Sequence, residues 1–266
     1  MAVIRTDSIH YENIGTRLRE KLGTDKEFYP AEMADGVAAV YDAGVQAEYD
    51  RFWDAIQGSN GQQTSYIACF GGVFWNANTL KPKWDIVPRS NASYMFYYNQ
   101  MGGDLVAYFE SIGKRLDLET PKCNFNSTFQ YSKFTRLPKM YNSEASWYST
   151  FANCSNLVTI DEIGHKDGGE FQLATSTFSS CPALRNVKIK GTLITATNLS
   201  TCPLSKDSII AFMTCLSDRV TGKTLTLKKS AVNIEFETSA GANDGVASDE
   251  WKALVAAKTN WTISLV

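Results

Sequence analysis

An internal repeat is the feature that most limits how this chain can fold. Residues 149–160 read STFANCSNLVTI and residues 176–187 read STFSSCPALRNV, so one pattern recurs after 27 residues. A weaker copy covers 197–204, and degenerate copies begin at Ser127 and at Asn91. Periods of roughly 20 to 30 residues with apolar anchors are typical of solenoids, in which one unit stacks on the next.

Each repeat supplies one large side chain, one small side chain and a short apolar run. Phe151 and Phe178 are expected to point inward, and Cys154 and Cys181 are small enough to let neighbouring units approach closely. One unit cannot bury these side chains alone, so stability is shared between neighbours. The apolar run after each cysteine predicts a short strand, with inward residues Leu157 and Ile160 in one repeat and Leu184, Val187 and Ile189 in the next.

The ends of the chain differ in texture from the repeats. At the C-terminus, 205–216 and 248–258 are predicted helices, capped by Ser205 or Asp207 and by Ser248. The segments 224–227 and 261–266 are predicted strands. Residues 64–118 are rich in aromatic side chains and are expected to form short strands and turns, whereas about 9–57 is predicted to be helical.

The N-terminal helical region carries a heptad-like stripe, formed by Val45, Tyr49, Phe52 and Ile56. Such a stripe suits either an amphipathic helix packed on its own domain or an oligomeric stalk, and about two heptads are too few to choose between them. These four residues are the candidates for oligomerisation or for docking onto a larger assembly.

Together these patterns predict an α+β fold with four regions. We expect an N-terminal helical attachment or oligomerisation region at 1–60 and an aromatic-rich β region at 61–120 that leads into the solenoid. Irregular leucine-rich-type repeats are expected at 121–204. A C-terminal αβαβ cap at 205–266 is expected to cover the last open face of the stack.

Composition argues against several classes of function. The net charge is −2 and the pI about 5.8, without a clustered basic face, so nucleic acid is not an expected partner. No apolar run approaches about 18 residues and the first residues lack a signal-peptide pattern, so we expect cytoplasmic synthesis without membrane insertion. Six cysteines without a C-x-x-C pair and two histidines predict free buried thiols and no metal site. No catalytic constellation or cofactor motif is found, so the chain is not expected to be an enzyme.

Aromatic side chains are the best candidates for contact with a partner, because they give a large contact area at low entropy cost. The candidates are Trp75, Trp84, Tyr97, Tyr98, Trp147 and Tyr148. The alternative is that most of them fill the core of a small β region. We add Asp161 and Lys188 as candidates for partner contact, because each follows an inward residue at the same repeat position and is expected to point outward. They could equally well be ordinary solvated charges.

The repeat pattern S-T-F-x-x-C-x-x-L-x-x-[IV] resembles the BspA-like leucine-rich repeats of gut bacteria and their phages. The C-terminal series S-x-x-S-I-I-x-F, K-T-L-T-L and W-T-I is similar to phage versions of such proteins. The N-terminus resembles the opening of Firmicutes phage tail-associated proteins, through Ile14, Leu18, Arg19, Glu20, Lys21, Gly23, Thr24, Tyr29, Pro30, Glu32, Met33, Ala34 and Val37. The resemblance covers about 9–57 and 125–266.

This resemblance implies a structural protein of a bacteriophage virion, located at the tail tip, the baseplate or a fibre. It implies non-covalent adhesion to a host cell-surface glycan or protein, contacts with other virion proteins and a homo-oligomer, with a trimer expected by similarity to tail fibres. Two alternatives remain at this point. One is a head fibre or capsid decoration protein, and the other is a tail-associated glycan-degrading enzyme, which would need paired carboxylates in one cleft.

Overall fold

The computed structural model describes residues 74, 82, 85–88, 91–120, 122–143, 147–236 and 248–266. These residues form a mixed α/β fold, in which parallel strands make sheets that curl into a half-barrel. The predicted α+β class with a leucine-rich-type solenoid is therefore wrong. The predicted N-terminal region, 1–60, lies outside the described residues. It includes the four candidate docking residues Val45, Tyr49, Phe52 and Ile56.

The described part of the chain contains ten strands and four helices. In chain order they are β1 (Gly103–Asp104), α1 (Leu105–Ser111), β2 (Phe134–Leu137), β3 (Met140–Tyr141), β4 (Thr159–Gly164), β5 (Glu170–Phe171), β6 (Asn186–Lys190), β7 (Thr192–Leu193), β8 (Thr197–Leu199), α2 (Lys206–Cys215), β9 (Lys223–Leu227), α3 (Lys229–Glu235), α4 (Asp249–Ala256) and β10 (Trp261–Leu265).

The strands pair in parallel in three separate sheets. In the five-stranded sheet, β4 pairs with β2 at its start, with β3 at its end and with β6 along its length, and β1 pairs with β2. The second sheet has the order β10-β9-β8, and β5 pairs with β7. Segments of 33, 22 and 27 residues separate the phenylalanines at 96, 129, 151 and 178. The strands thus divide among three sheets and do not form one continuous ladder.

Four tight turns surround the repeated phenylalanines and are here called the anchor turns: residues 92–99, 125–132, 147–154 and 174–181. The last three carry the T-F pattern, whereas the first has Met95 before Phe96. Their phenylalanines are fully buried, which confirms that they point inward. The rings stack in series, with centroids 5.1 Å apart for Phe96 and Phe129, 6.2 Å for Phe129 and Phe151, and 5.3 Å for Phe151 and Phe178. Phe74 extends the stack beyond Phe96, and at the other end Phe212 packs edge-on against Phe178.

Backbone hydrogen bonds hold each anchor turn to the next. The N–H of Phe96 donates to the carbonyl of Thr128 at 2.8 Å, and the N–H of Phe129 donates to the carbonyl of Thr150 at 2.9 Å. The same bond joins Phe151 to Thr177 at 3.0 Å. Because these bonds fix one register, equivalent residues of successive turns lie beside one another.

The small residues of the repeat donate hydrogen bonds as well as fill space. The Thr150 hydroxyl donates to the carbonyl of Phe125 and the Cys154 thiol donates to the carbonyl of Phe129, both at 2.9 Å. A buried carbonyl without a donor costs free energy, so these bonds explain why threonine and cysteine flank the phenylalanine. The prediction of free buried thiols is confirmed for Cys154, Cys181 and Cys202. Cys123 is also buried, and Cys215 is free and partly buried.

The C-terminal elements match the sequence prediction. The predicted helices correspond to α2 and α4, and the predicted strands to β9 and β10. Ser248 caps α4, because its side chain accepts a hydrogen bond from the N–H of Trp251, whereas Ser205 occupies the N-cap position of α2 without a side-chain cap bond. The sequence did not predict α3 or α1. Asp104 begins α1 by accepting a hydrogen bond from the N–H of Ala107 at 2.9 Å.

Candidate interaction surface

Trp147 belongs to the core, which corrects its place among the contact candidates. Its side chain is fully buried and its ring centroid lies 5.1 Å from that of Phe125 and 6.2 Å from that of Phe151. Trp147 and Phe125 are the first residues of the third and second anchor turns, respectively. At this position an apolar ring fills the space between turns. The two other tryptophan candidates, Trp75 and Trp84, lie outside the described residues.

Tyr148 is the most exposed of the aromatic candidates that the structure describes, with 62% of its surface accessible. Its backbone is held in place, since its N–H donates to Asn126 Oδ1 at 2.9 Å and its carbonyl accepts from the N–H of Ser127 at 2.8 Å. The described part of the chain shows no second aromatic ring against it. Tyr148 therefore stands alone at the surface.

Tyr97 and Tyr98 lie in a group of four tyrosines at the surface, together with Tyr94 and Tyr131; we call this group the tyrosine cluster. The rings of Tyr98 and Tyr131 stack with centroids 4.4 Å apart. Tyr97 lies edge-on to each of the other three, at 4.9 Å from Tyr98, 5.4 Å from Tyr94 and 5.8 Å from Tyr131. Tyr94 and Tyr98 are 46% and 40% exposed, so the cluster faces solvent.

The register between anchor turns brings these tyrosines together. Tyr98 and Tyr131 occupy the same position in their turns, two residues after the buried phenylalanine. The N–H of Tyr98 donates to the carbonyl of Gln130, and the N–H of Tyr131 donates to the carbonyl of Ala152, both at 2.9 Å. Hydrogen bonds between the anchor turns thus fix the backbone that carries the exposed rings. A ligand that binds these rings therefore costs the protein little conformational entropy.

The anchor turns hold three of the cluster residues in a left-handed backbone conformation. Tyr94, Tyr98 and Tyr131 have φ of 58°, 55° and 63°, in the left-handed region that is unfavourable for bulky residues by about 1–2 kcal/mol each. At positions equivalent to Tyr98, the later turns carry Asn153 and Ser180, which are small and polar. At positions equivalent to Tyr94, the later turns carry Ser127 and Ser149, which also have positive φ. The left-handed backbone therefore belongs to the anchor turn, and the bulky side chain at these positions is what is unusual. Such outliers are a reason to look for function at a site.

The hydroxyl groups of the cluster lie close enough to influence one another. Burial raises the pKa of Tyr97 above its usual 10, and its neighbours Tyr98, Tyr131 and Tyr94 raise it further, because negative charges would gather at one place. The Tyr97 hydroxyl therefore stays protonated at neutral pH. It keeps one proton to donate and lone pairs to accept hydrogen bonds.

Asp161 lies on β4 in an ion pair. Arg136 holds its carboxylate with two hydrogen bonds, from Nε at 2.7 Å and from Nη2 at 3.0 Å, and a third contact joins Arg136 Nη1 to Asp104 at 3.4 Å. These groups are partly exposed, so the pair adds little to stability. Asp161 is thus held by its neighbours, in a row of charges that crosses β1, β2 and β4.

Lys188 is exposed on β6, and it lies opposite two residues of β4, Asp161 and Glu162, instead of Asp161 alone. Ile160 pairs with Val187 and Ile163 pairs with Ile189, so two residues of β4 lie opposite one residue of β6. This irregularity has the form of a β-bulge, which redirects side chains and locally breaks the equivalence between strands.

Glu162, the residue after Asp161, also has a hydrogen-bond partner. Glu162 accepts a short hydrogen bond from the hydroxyl of Tyr141, and the Lys190 ammonium lies 5.5 Å from the centre of the Tyr141 ring. Burial and the Glu162 carboxylate raise the pKa of Tyr141. Among the sequence candidates that the structure describes, only Tyr97 and Tyr98 lie in contact with each other, and the structure adds Tyr94 and Tyr131 to them.

Comparisons with known proteins add no identification. No protein-family model matches this chain, and no curated protein or solved structure matches it. Within the described residues, no helix is long and apolar enough to cross a membrane. The same residues contain no group of three or more histidine, cysteine or acidic side chains placed to hold a metal ion.

Proposed function

We propose that this chain is a structural protein of a bacteriophage particle and that it contacts the host cell surface by non-covalent binding through the tyrosine cluster. In this proposal it is carried on the virion at the tail tip, the baseplate or a fibre, as a homo-oligomer among other virion proteins. The resemblance of the repeats and of both chain ends to phage proteins supports the particle assignment.

The observation that carries the contact role is the arrangement of the tyrosine cluster. Exposed tyrosines are common at binding surfaces because a rigid ring with a polar tip gives contact area without much loss of entropy. Here four such rings adjoin on two anchor turns, and three of them stand at left-handed backbone positions that disfavour bulky residues. Asp161 and Glu162, in contrast, are occupied by Arg136 and Tyr141. This contrast favours binding over turnover.

The particle assignment is tested by the protein content of virions. Phage released from the bacterium that carries this gene would be purified on a density gradient and digested for mass spectrometry. We expect peptides of this chain to co-sediment with the major capsid protein, and gold-labelled antibody to decorate the tail. Peptides found only in the soluble lysate would contradict the proposal, and label confined to the head would move the protein to a head fibre or capsid decoration.

The contact role is tested by retention on cell envelopes. The full chain, fluorescently labelled, would be mixed with isolated envelopes of its bacterial host and sedimented. We expect saturable retention that the unlabelled chain competes away. Retention that is absent or does not saturate would contradict a specific contact.

A further inference from the structure

We infer that the tyrosine cluster binds a carbohydrate chain. This inference rests on the proposed function, because it names the chemical class of the host-surface ligand. Tyr94, Tyr97, Tyr98 and Tyr131 carry it.

The first argument is the mixed character of the surface. Each ring offers an apolar face or edge, and each carries a hydroxyl that donates and accepts hydrogen bonds. A sugar ring has the same mixture, with patches of C–H groups between hydroxyls. Tyr94 and Tyr98 keep 46% and 40% of their surface accessible, so rings already packed together still present area to a ligand.

The second argument is the spacing of the rings. The cluster extends over two anchor turns, with Tyr94 at one side, Tyr97 and Tyr98 in the middle and Tyr131 on the next turn. Adjacent centroids lie 4.4–5.8 Å apart. A surface of several adjoining rings suits successive sugars of a chain better than a single small molecule. Binding is then the sum of several weak contacts, as for other stacking surfaces.

The experiment measures retention of the full chain on isolated bacterial envelopes treated in two ways. Periodate cleaves the vicinal diols of sugars, and protease removes surface proteins. We expect periodate to abolish retention and protease to leave it unchanged. Retention that survives periodate and is lost after protease overturns the glycan inference while the contact function stands. Absence of retention on untreated envelopes contradicts the proposed function itself.

The variants assign the ligand to the cluster. The double variant Tyr98→Asn, Tyr131→Asn removes two rings of the cluster. Asparagine is chosen because Asn153 occupies the same position in the third anchor turn with the same left-handed backbone. We expect this double variant to keep its thermal unfolding midpoint within a few degrees and to lose about tenfold or more in affinity. Tyr148→Asn is the matched control, since it removes an exposed tyrosine outside the cluster, and it is expected to bind as the wild type does. Equal affinity of the double variant and the wild type, with both folded, overturns the inference.

Discussion

The sharpest stability prediction concerns Phe151, at the middle of the phenylalanine stack. Its side chain is fully buried, with ring centroids of Phe129, Trp147 and Phe178 at 6.2, 6.2 and 5.3 Å. Burying a phenylalanine contributes about 2–3 kcal/mol by area, and a cavity bounded by three rigid rings cannot collapse easily. Phe151→Ala is therefore expected to lower the free energy of unfolding by about 3–5 kcal/mol.

Urea unfolding of the full chain, followed by far-UV circular dichroism, measures this loss as a lower midpoint with an unchanged slope. Tyr148→Ala serves as the control, and because its side chain is exposed we expect a change of about 0.5 kcal/mol or less. A double-mutant cycle of Phe151 and Phe178 should give a coupling energy of about 0.5–1.5 kcal/mol. A loss below about 1 kcal/mol for Phe151→Ala would refute the idea that the stack holds the anchor turns together.

Three further predictions follow from the same contacts. Thr150→Val leaves the carbonyl of Phe125 without its donor and is expected to lower the free energy of unfolding, measured in urea, by about 1–3 kcal/mol. Thr150→Ser keeps a hydroxyl and should lower it clearly less. Equal losses for the two variants would contradict the hydrogen bond. Burial raises the pKa of Cys154 from 9 to about 12, so its contribution to stability is complete below pH 9 and is lost as pH rises towards 12, at up to about 1.4 kcal/mol per pH unit. The slope of stability against pH in that window should be smaller for Cys154→Ala, and identical slopes would contradict the burial of this thiol. Arg136→Ala breaks partly exposed ion pairs and is expected to cost about 1 kcal/mol or less, so a loss above about 2 kcal/mol would show that the pairs matter more than their exposure implies.

The sequence predicted the local packing units well because each one depends on a short pattern. A phenylalanine between threonine and a small residue recurs with its neighbours, and the structure buries Phe151 and Phe178 as expected. Ser248 before an apolar helix predicts an N-cap, and the cap bond to Trp251 is present. Such features need only a few consecutive residues, so they can be read without knowing the fold.

The fold class was not predictable in the same way. It depends on how segments of unequal length between the anchors return the chain to its neighbours, and the strands divide among three sheets as a result. Helix α3 is only seven residues long and is stabilised by distant contacts, which include the burial of Val232 and an ion pair between Glu235 and Arg185 at 2.6 Å. No local pattern in the sequence indicates those contacts.

The tyrosine cluster was half predictable. Tyr97 and Tyr98 were candidates because they are aromatic, but Tyr131 carried a stronger signal that the sequence analysis missed. Aligning the degenerate copies on Phe96 and Phe129 places Tyr98 and Tyr131 in one column. Adjacent repeats put the members of a column side by side, so the alignment predicts contact between these rings. Tyr94 gives no such signal, because its counterparts Ser127 and Ser149 are not aromatic.

The most direct test of binding without turnover is the length of a glycan after it has been bound. Polysaccharide released from host envelopes would be incubated with the full chain, and the bound fraction would be recovered and sized by chromatography with light scattering. We predict that the polymer elutes with the protein and keeps its original length distribution, with no new reducing ends. Shortened chains, or polymer that never elutes with the protein, would contradict the account.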